Sequence, residues 1–348
     1  MKMIQSLKLA LVSLGLSCSI SSLAAQEEKT LISGYLMLAD GNRKFQPMVM
    51  IGTNKQGFLL FKENAKSTRV YRERISKYPG IWLFEPKDVT DAKNLFESRK
   101  YKEALGAFKK LQVTYKNFKY LNDSYFETAE YYEMECYRKL KDYKSLSARL
   151  ETYKPDRLTR PGIVAQTKLY RMYDAVEKKD WSRLQTMCDD NILDPELTLS
   201  QRAQVSYCLG LAYEGQKLNN EALNAFATAM TADFNRSESI VRDSALKSLG
   251  IFAADKEVTL AMSLWESADE DTNSAGYRKL AEANALARLY DTAGLGFGVA
   301  LPAEYKKFQK FTSKEMVERL KAREAKLLEE DIDEVEEKGV KAKGKKNR

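Results

Sequence analysis

The chain has 348 residues, 30% of them charged and 44% hydrophobic, a balance usual for globular chains and long enough for two domains or one extended repeat array. The formal net charge of +8 is a property of the ends: two lysines lie in the first 25 residues and six basic residues, with no acid, lie after residue 337, so the stretch between them is neutral. There is no histidine, which excludes Ser-His-Asp and Cys-His nucleophilic sites and every His-ligated zinc, haem or non-haem iron site.

Lys2 and Lys8 precede a short apolar stretch, residues 9–16, which runs into Ser22-Leu23-Ala24-Ala25. This is the three-part pattern of a secretory signal peptide over residues 1–25, with cleavage after Ala24 or Ala25. The apolar stretch is too short to span a bilayer, and no later segment reaches the roughly 18 apolar residues of a membrane-spanning helix. The chain is therefore expected in the periplasm or otherwise exported, with no transmembrane segment after cleavage. Gly15-Leu16-Ser17-Cys18 offers an alternative, a poor bacterial lipobox in which Cys18 carries a lipid. The other three cysteines, Cys136, Cys188 and Cys208, are odd in number and sit in apolar-periodic segments, so they read as buried free thiols. A Cys188–Cys208 pair is the alternative in an oxidising compartment.

Residues 26–87 read as a small β module. Strands are predicted over 31–38, 48–51, 58–61, 69–75 and 80–86, with Asp40-Gly41-Asn42 and Asn54-Lys55-Gln56-Gly57 as turns. Five short strands in fewer than 60 residues suggest a closed SH3-like barrel, because closure removes exposed edges.

From Val89 to about Leu289 the apolar spacing is helical and no strand is predicted. The register repeats. Ala104, Leu146, Leu184, Ala222 and Ala261 hold equivalent positions near the start of each second helix, 38 to 42 residues apart. The best unit carries Leu209-Gly210-x-x-Tyr213, then Ala222-x-x-x-Phe226-x-x-Ala229. Gly210 admits a close second helix, Ala222 faces it, and Leu209, Tyr213 and Phe226 fill the space between. This pattern resembles the tetratricopeptide-repeat (TPR) superfamily. The resemblance implies a mainly α fold: a TPR-like α-solenoid of antiparallel helix pairs over residues 88–300, behind the β module. A charged C-terminal helix, 301–338, and a disordered basic tail, 339–348, complete the expected organisation.

The remaining patterns are weak. Gly294-x-Gly296-x-Gly298 has the wrong spacing for a dinucleotide fingerprint and reads as a helix-ending loop. The acidic clusters lack the alternation and central glycine of a calcium loop. The tail has no aromatic platforms for nucleic acid and offers at most a contact for anionic lipid or polymer. No cofactor, metal site or catalytic residue is indicated.

In TPR proteins the first helices line a concave peptide groove. By register that face here comprises Tyr131, Glu135, Arg138, Leu169, Tyr173, Tyr207, Leu211 and Glu214. The resemblance thus implies a non-catalytic cell-envelope scaffold that binds proteins or peptides. The competing expectations are a lipid-anchored outer-membrane assembly factor and an enzyme that uses carboxylates without histidine.

Overall fold

A computed structural model describes residues 30–37, 47–154 and 159–312 of the chain. The expected signal with Cys18, the tail and most of the expected C-terminal helix lie outside the described residues. Among the described residues the protein is mainly helical, with twelve α-helices after a five-stranded antiparallel sheet. It divides into two compact units: Met1–Cys136 with Lys154–Arg160, and Tyr137–Tyr153 with Pro161–Arg348.

In the first unit the strands are β1 (Ile32–Met37), β2 (Met48–Thr53), β3 (Phe58–Lys62), β4 (Tyr71–Arg74) and β5 (Gly80–Leu83). The β2–β3 hairpin forms because Asn54 Oδ1 accepts from the Gln56 and Phe58 amides, while Gly57 takes the left-handed conformation at φ 76°. A short 3-10 turn, Ile75–Lys77, joins β4 to β5. The strand order is β4-β3-β2-β1-β5. The barrel closure expected from the sequence is not made, since β4 and β5 are unpaired edges at opposite ends of the order.

One face of this sheet is a core face, built by Ile32, Leu36, Met50, Leu59 and Phe61. It shares a single cluster with Val89 and Ala92 of α1 (Lys87–Glu97) and with Ala104, Phe108 and Leu111 of α2 (Tyr101–Thr114). The boundary read at residue 87 therefore does not divide the packing: the sheet and the first helix pair are one body. A second 3-10 turn, Lys116–Phe118, stitches them together. Asn117 Nδ2 donates to the Thr30 and Ile51 carbonyls, and a Cβ on Gly52 would lie 2.7 Å from the Asn117 carbonyl oxygen.

The helices continue as α3 (Tyr125–Leu140), α4 (Tyr143–Thr152), α5 (Pro161–Lys178), α6 (Trp181–Ile192), α7 (Leu199–Gly215), α8 (Asn219–Ala232), α9 (Glu238–Ala254), α10 (Lys256–Ser263) and α11 (Ala275–Thr292). The link within each of the first four pairs repeats one device. A basic residue, Arg99, Lys141, Lys179 or Lys217, adopts positive φ between 53° and 64°. The next residue's amide then reaches back to Leu95, Tyr137, Ala175 or Tyr213 at 2.9–3.0 Å. This is the Schellman hydrogen bond that satisfies a terminal carbonyl, and the cation suits the negative end of the helix. Asp142 and Asp180 follow immediately and cap the second helix, accepting from the Ser145 and Arg183 amides. The fifth pair differs: Asp255 alone joins α9 to α10, with φ −77°, and caps α10.

In the second unit each helix packs on its neighbour in sequence from α4 to α9, and α7 touches both α5 and α9. The core of the later helices gathers Val241, Leu249, Leu280, Ala287 and Tyr290. After α11, Gly294 and Gly298 take positive φ and turn the chain back. Residues 301–312 are not one charged helix. They form α12 (Ala303–Lys306) and a 3-10 turn, Lys307–Lys310, that buries Phe308. Asn284 Nδ2 holds that turn through the Phe308 carbonyl at 2.7 Å. No helix among the described residues is long and apolar enough to cross a membrane.

Candidate groove on the first helices

The first helices of the second unit are held in register by a buried amide ladder. Gln166 on α5 and Gln204 on α7, one repeat apart, exchange two hydrogen bonds of 2.9 and 3.0 Å. Tyr173 Oη donates to Gln204 Oε1 at 3.2 Å. Between α7 and α8, Gly210 sets the approach: a Cβ there would lie 2.5 Å from the Phe226 ring, which is itself fully buried. Leu209, Ala222 and Ala229 are buried around the same contact, while Tyr213 is half-buried. At the other end of α7, the Trp181 ring occupies the space that a Cβ on Gly215 would need.

This packing leaves a groove of about 310 Å³ lined by Lys141, Tyr207, Glu214, Asp243, Leu246, Lys247, Gly250 and Tyr305. Its charges are paired across elements. Lys141, on its left-handed turn, meets Asp243 of α9 at 2.6 Å. Lys247 of α9 meets both carboxylate oxygens of Glu214 of α7, at 3.1 and 2.8 Å. Arg242 adds a long contact to Asp243 at 3.9 Å. A small recess beside the groove is lined by Arg138, Tyr143 and Tyr173 together with Tyr207 and Asp243. Burial, with Tyr143 and Asp243 nearby, pushes the Tyr207 phenol well above its usual range, so it stays a neutral hydrogen-bonding group.

The residues predicted from the register fall into three sets. Arg138, Tyr173 and Tyr207 are brought together at the recess, and Tyr207 and Glu214 share the groove. Leu169 and Leu211 are core side chains. Tyr131 and Glu135 belong to the first unit, where the Tyr131 ring packs edge-on to Tyr132. Most of the eight side chains read as the concave face are buried. Glu135, Arg138, Leu169, Tyr173, Tyr207 and Leu211 are all at most 8% exposed, and only Tyr131 and Glu214 reach solvent appreciably. The register does not encode how deeply the next helix covers each side chain.

Sequence reasoning missed Lys141, Asp243, Lys247 and Tyr305. The legible signal was Asp243 and Lys247 at i, i+4 on α9 and the recurring basic residue at each helix end. Cys136, Cys188 and Cys208 are free and buried. Burial raises all three thiols, Cys136 and Cys208 to about 12, so none is a poised nucleophile.

Comparison with family models, with curated proteins and with solved structures finds no match to this chain.

Proposed function

We propose that the protein is an exported, non-catalytic cell-envelope scaffold whose groove on the first helices holds an extended segment of a partner protein. On this reading the helix pairs form a TPR-like α-solenoid. Supporting it are the left-handed basic turn at Arg99, Lys141, Lys179 and Lys217 and the capping aspartates that follow two of them. The β module is read as SH3-like in connectivity. Its support is a meander in which β5 returns to pair with β1 after a 3-10 turn.

The groove carries the reading. Lys141 on its left-handed turn, Glu214 of α7, and Asp243 and Lys247 of α9 present both signs of charge, with Tyr207 and Tyr305 beside them. A peptide main chain can use the phenol hydroxyls, and charged peptide side chains can exchange with the existing pairs. Exchange keeps every charge compensated, which favours selectivity over raw affinity. The absence of histidine leaves no Ser-His or Cys-His pair, and burial raises the thiols.

The test is photo-crosslinking in cells. A photoreactive residue replaces Leu246 in the groove or, as a control, Thr228 on the exposed side of α8. A discrete adduct with a periplasmic protein at Leu246 only is expected. Equal adducts at both positions, or none at Leu246, would overturn the reading.

A further inference from the structure

The first unit contains a second, larger cavity of about 570 Å³ that runs along β5. Residues 79–83 form one wall, and Tyr120, Asp123, Tyr125 and Arg160 stand on the other. β5 is a sheet edge, paired with β1 alone.

The pairing fixes which way its main chain points. The Phe84 amide donates to the Ser33 carbonyl, and Trp82 pairs with Tyr35, so the even-numbered residues face β1. In an antiparallel strand the intervening residues then turn their N–H and C=O outward. Leu83 does so: its carbonyl accepts from Tyr125 Oη at 3.0 Å across the cavity. The Ile81 N–H and C=O point the same way and have no partner among the described residues.

The two edges of this sheet are dressed differently. β4 carries Arg72, Glu73 and Arg74, the charges by which natural edges resist further pairing. β5 continues as Gly80-Ile81-Trp82-Leu83-Phe84 without a charge, and Trp82 and Phe84 are 47% and 43% exposed. The charges on the cavity walls are already compensated within the unit. Lys93 meets Glu85 at 2.5 Å, and Arg160 meets Asp123 at 3.6 Å. Along β5 itself a ligand meets main-chain hydrogen-bonding groups and uncharged, mostly apolar side chains. Ile81 and Leu83 lean on the core face, and Trp82 and Phe84 face solvent. An added strand would place alternate residues beside each pair.

We propose that β5 accepts an extended, uncharged peptide segment of a partner protein as an added strand, bonded through the Ile81 N–H and C=O and apolar at alternate positions. This site is separate from the groove on the first helices and stands or falls without it.

The test uses the full chain and a displayed library of random heptapeptides. Selected peptides are synthesised with a fluorophore and measured by anisotropy. Ile81→Pro removes the outward N–H while leaving the ladder to β1, and proline is tolerated on an edge with its nitrogen turned away from the sheet. Binding is expected to weaken at least tenfold in Ile81→Pro and to be unchanged in Thr228→Ala, on the exposed side of α8. Should Ile81→Pro fail to fold, exchange of the Ile81 amide in the unaltered chain decides: slowing on adding peptide supports the site. Failure to select any peptide, equal binding to a folded Ile81→Pro, or an unchanged Ile81 exchange rate would overturn it.

Discussion

Gly210 shows how one missing atom can set a helix–helix distance. A Cβ there would fall 2.5 Å from the ring of Phe226, a side chain with no exposed surface. Gly210→Ala is expected to cost about 1–3 kcal/mol by overpacking, read from the urea midpoint. A neutral result would mean that α7 and α8 separate freely. The turn lysines should respond in the opposite sense. Lys179 and Lys217 are exposed and hold a left-handed conformation that costs a residue with a Cβ about 1–2 kcal/mol, set against the greater chain entropy of glycine. Lys217→Gly is expected to stabilise by about 0.5 kcal/mol, whereas Lys217→Ala, which keeps the Cβ, should not. The close contact of Gly210 was legible, because a glycine within an apolar helical run has few other reasons to be there. The turns were not, because lysine carries no sign of positive φ; only the hydrogen bond from the next residue's amide imposes it.

At the scale of elements, the link between sheet and helices rests on a few polar atoms. Asn117 donates to two carbonyls, those of Thr30 and Ile51, from a 3-10 turn that shares the sheet's core. Asn117→Ala leaves both acceptors without that donor and is expected to destabilise the first unit by about 1–3 kcal/mol in chemical denaturation. A negligible change would show that water replaces the amide. Strand positions were legible from turn residues and from the alternation that is clearest in β1 and β3. Closure was not, because it depends on how far the ends of the sheet approach, and no local pattern encodes that. The same limit applies to the candidate site. Helical periodicity grouped Tyr173 and Tyr207 on one face, yet neighbouring helices cover them and leave the rim to Lys141, Asp243 and Lys247.

For the molecule as a whole, pH exposes what burial has stored. The Tyr125 phenol and the Cys136 and Cys208 thiols are raised to about 12, in each case chiefly by desolvation. Folding favours their neutral forms, so their contribution is complete below the ordinary thiol value of about 8.5 and is lost as pH rises toward 12. Asp174 and Asp255 act at the other end. Burial alone would raise them, but Lys178 beside Asp174, and Lys279 with the Glu257 and Val258 amides beside Asp255, hold both below the usual carboxylate range. Their contribution is present above about pH 4 and disappears as pH falls through the lowered values. The thermal midpoint is therefore expected to fall above about pH 9 and again below about pH 4, with a plateau between. A midpoint that climbs into the alkaline range would contradict the burial of these groups. The central claim concerns the groove on the first helices, and it is tested most directly by titrating the crosslinked partner's segment, as a synthetic peptide, against the chain and against Lys247→Ala and Glu214→Ala. At least a tenfold loss of affinity in each variant, with an unchanged thermal midpoint, is the expected result. Affinity equal to that of the unaltered chain in both variants would contradict it.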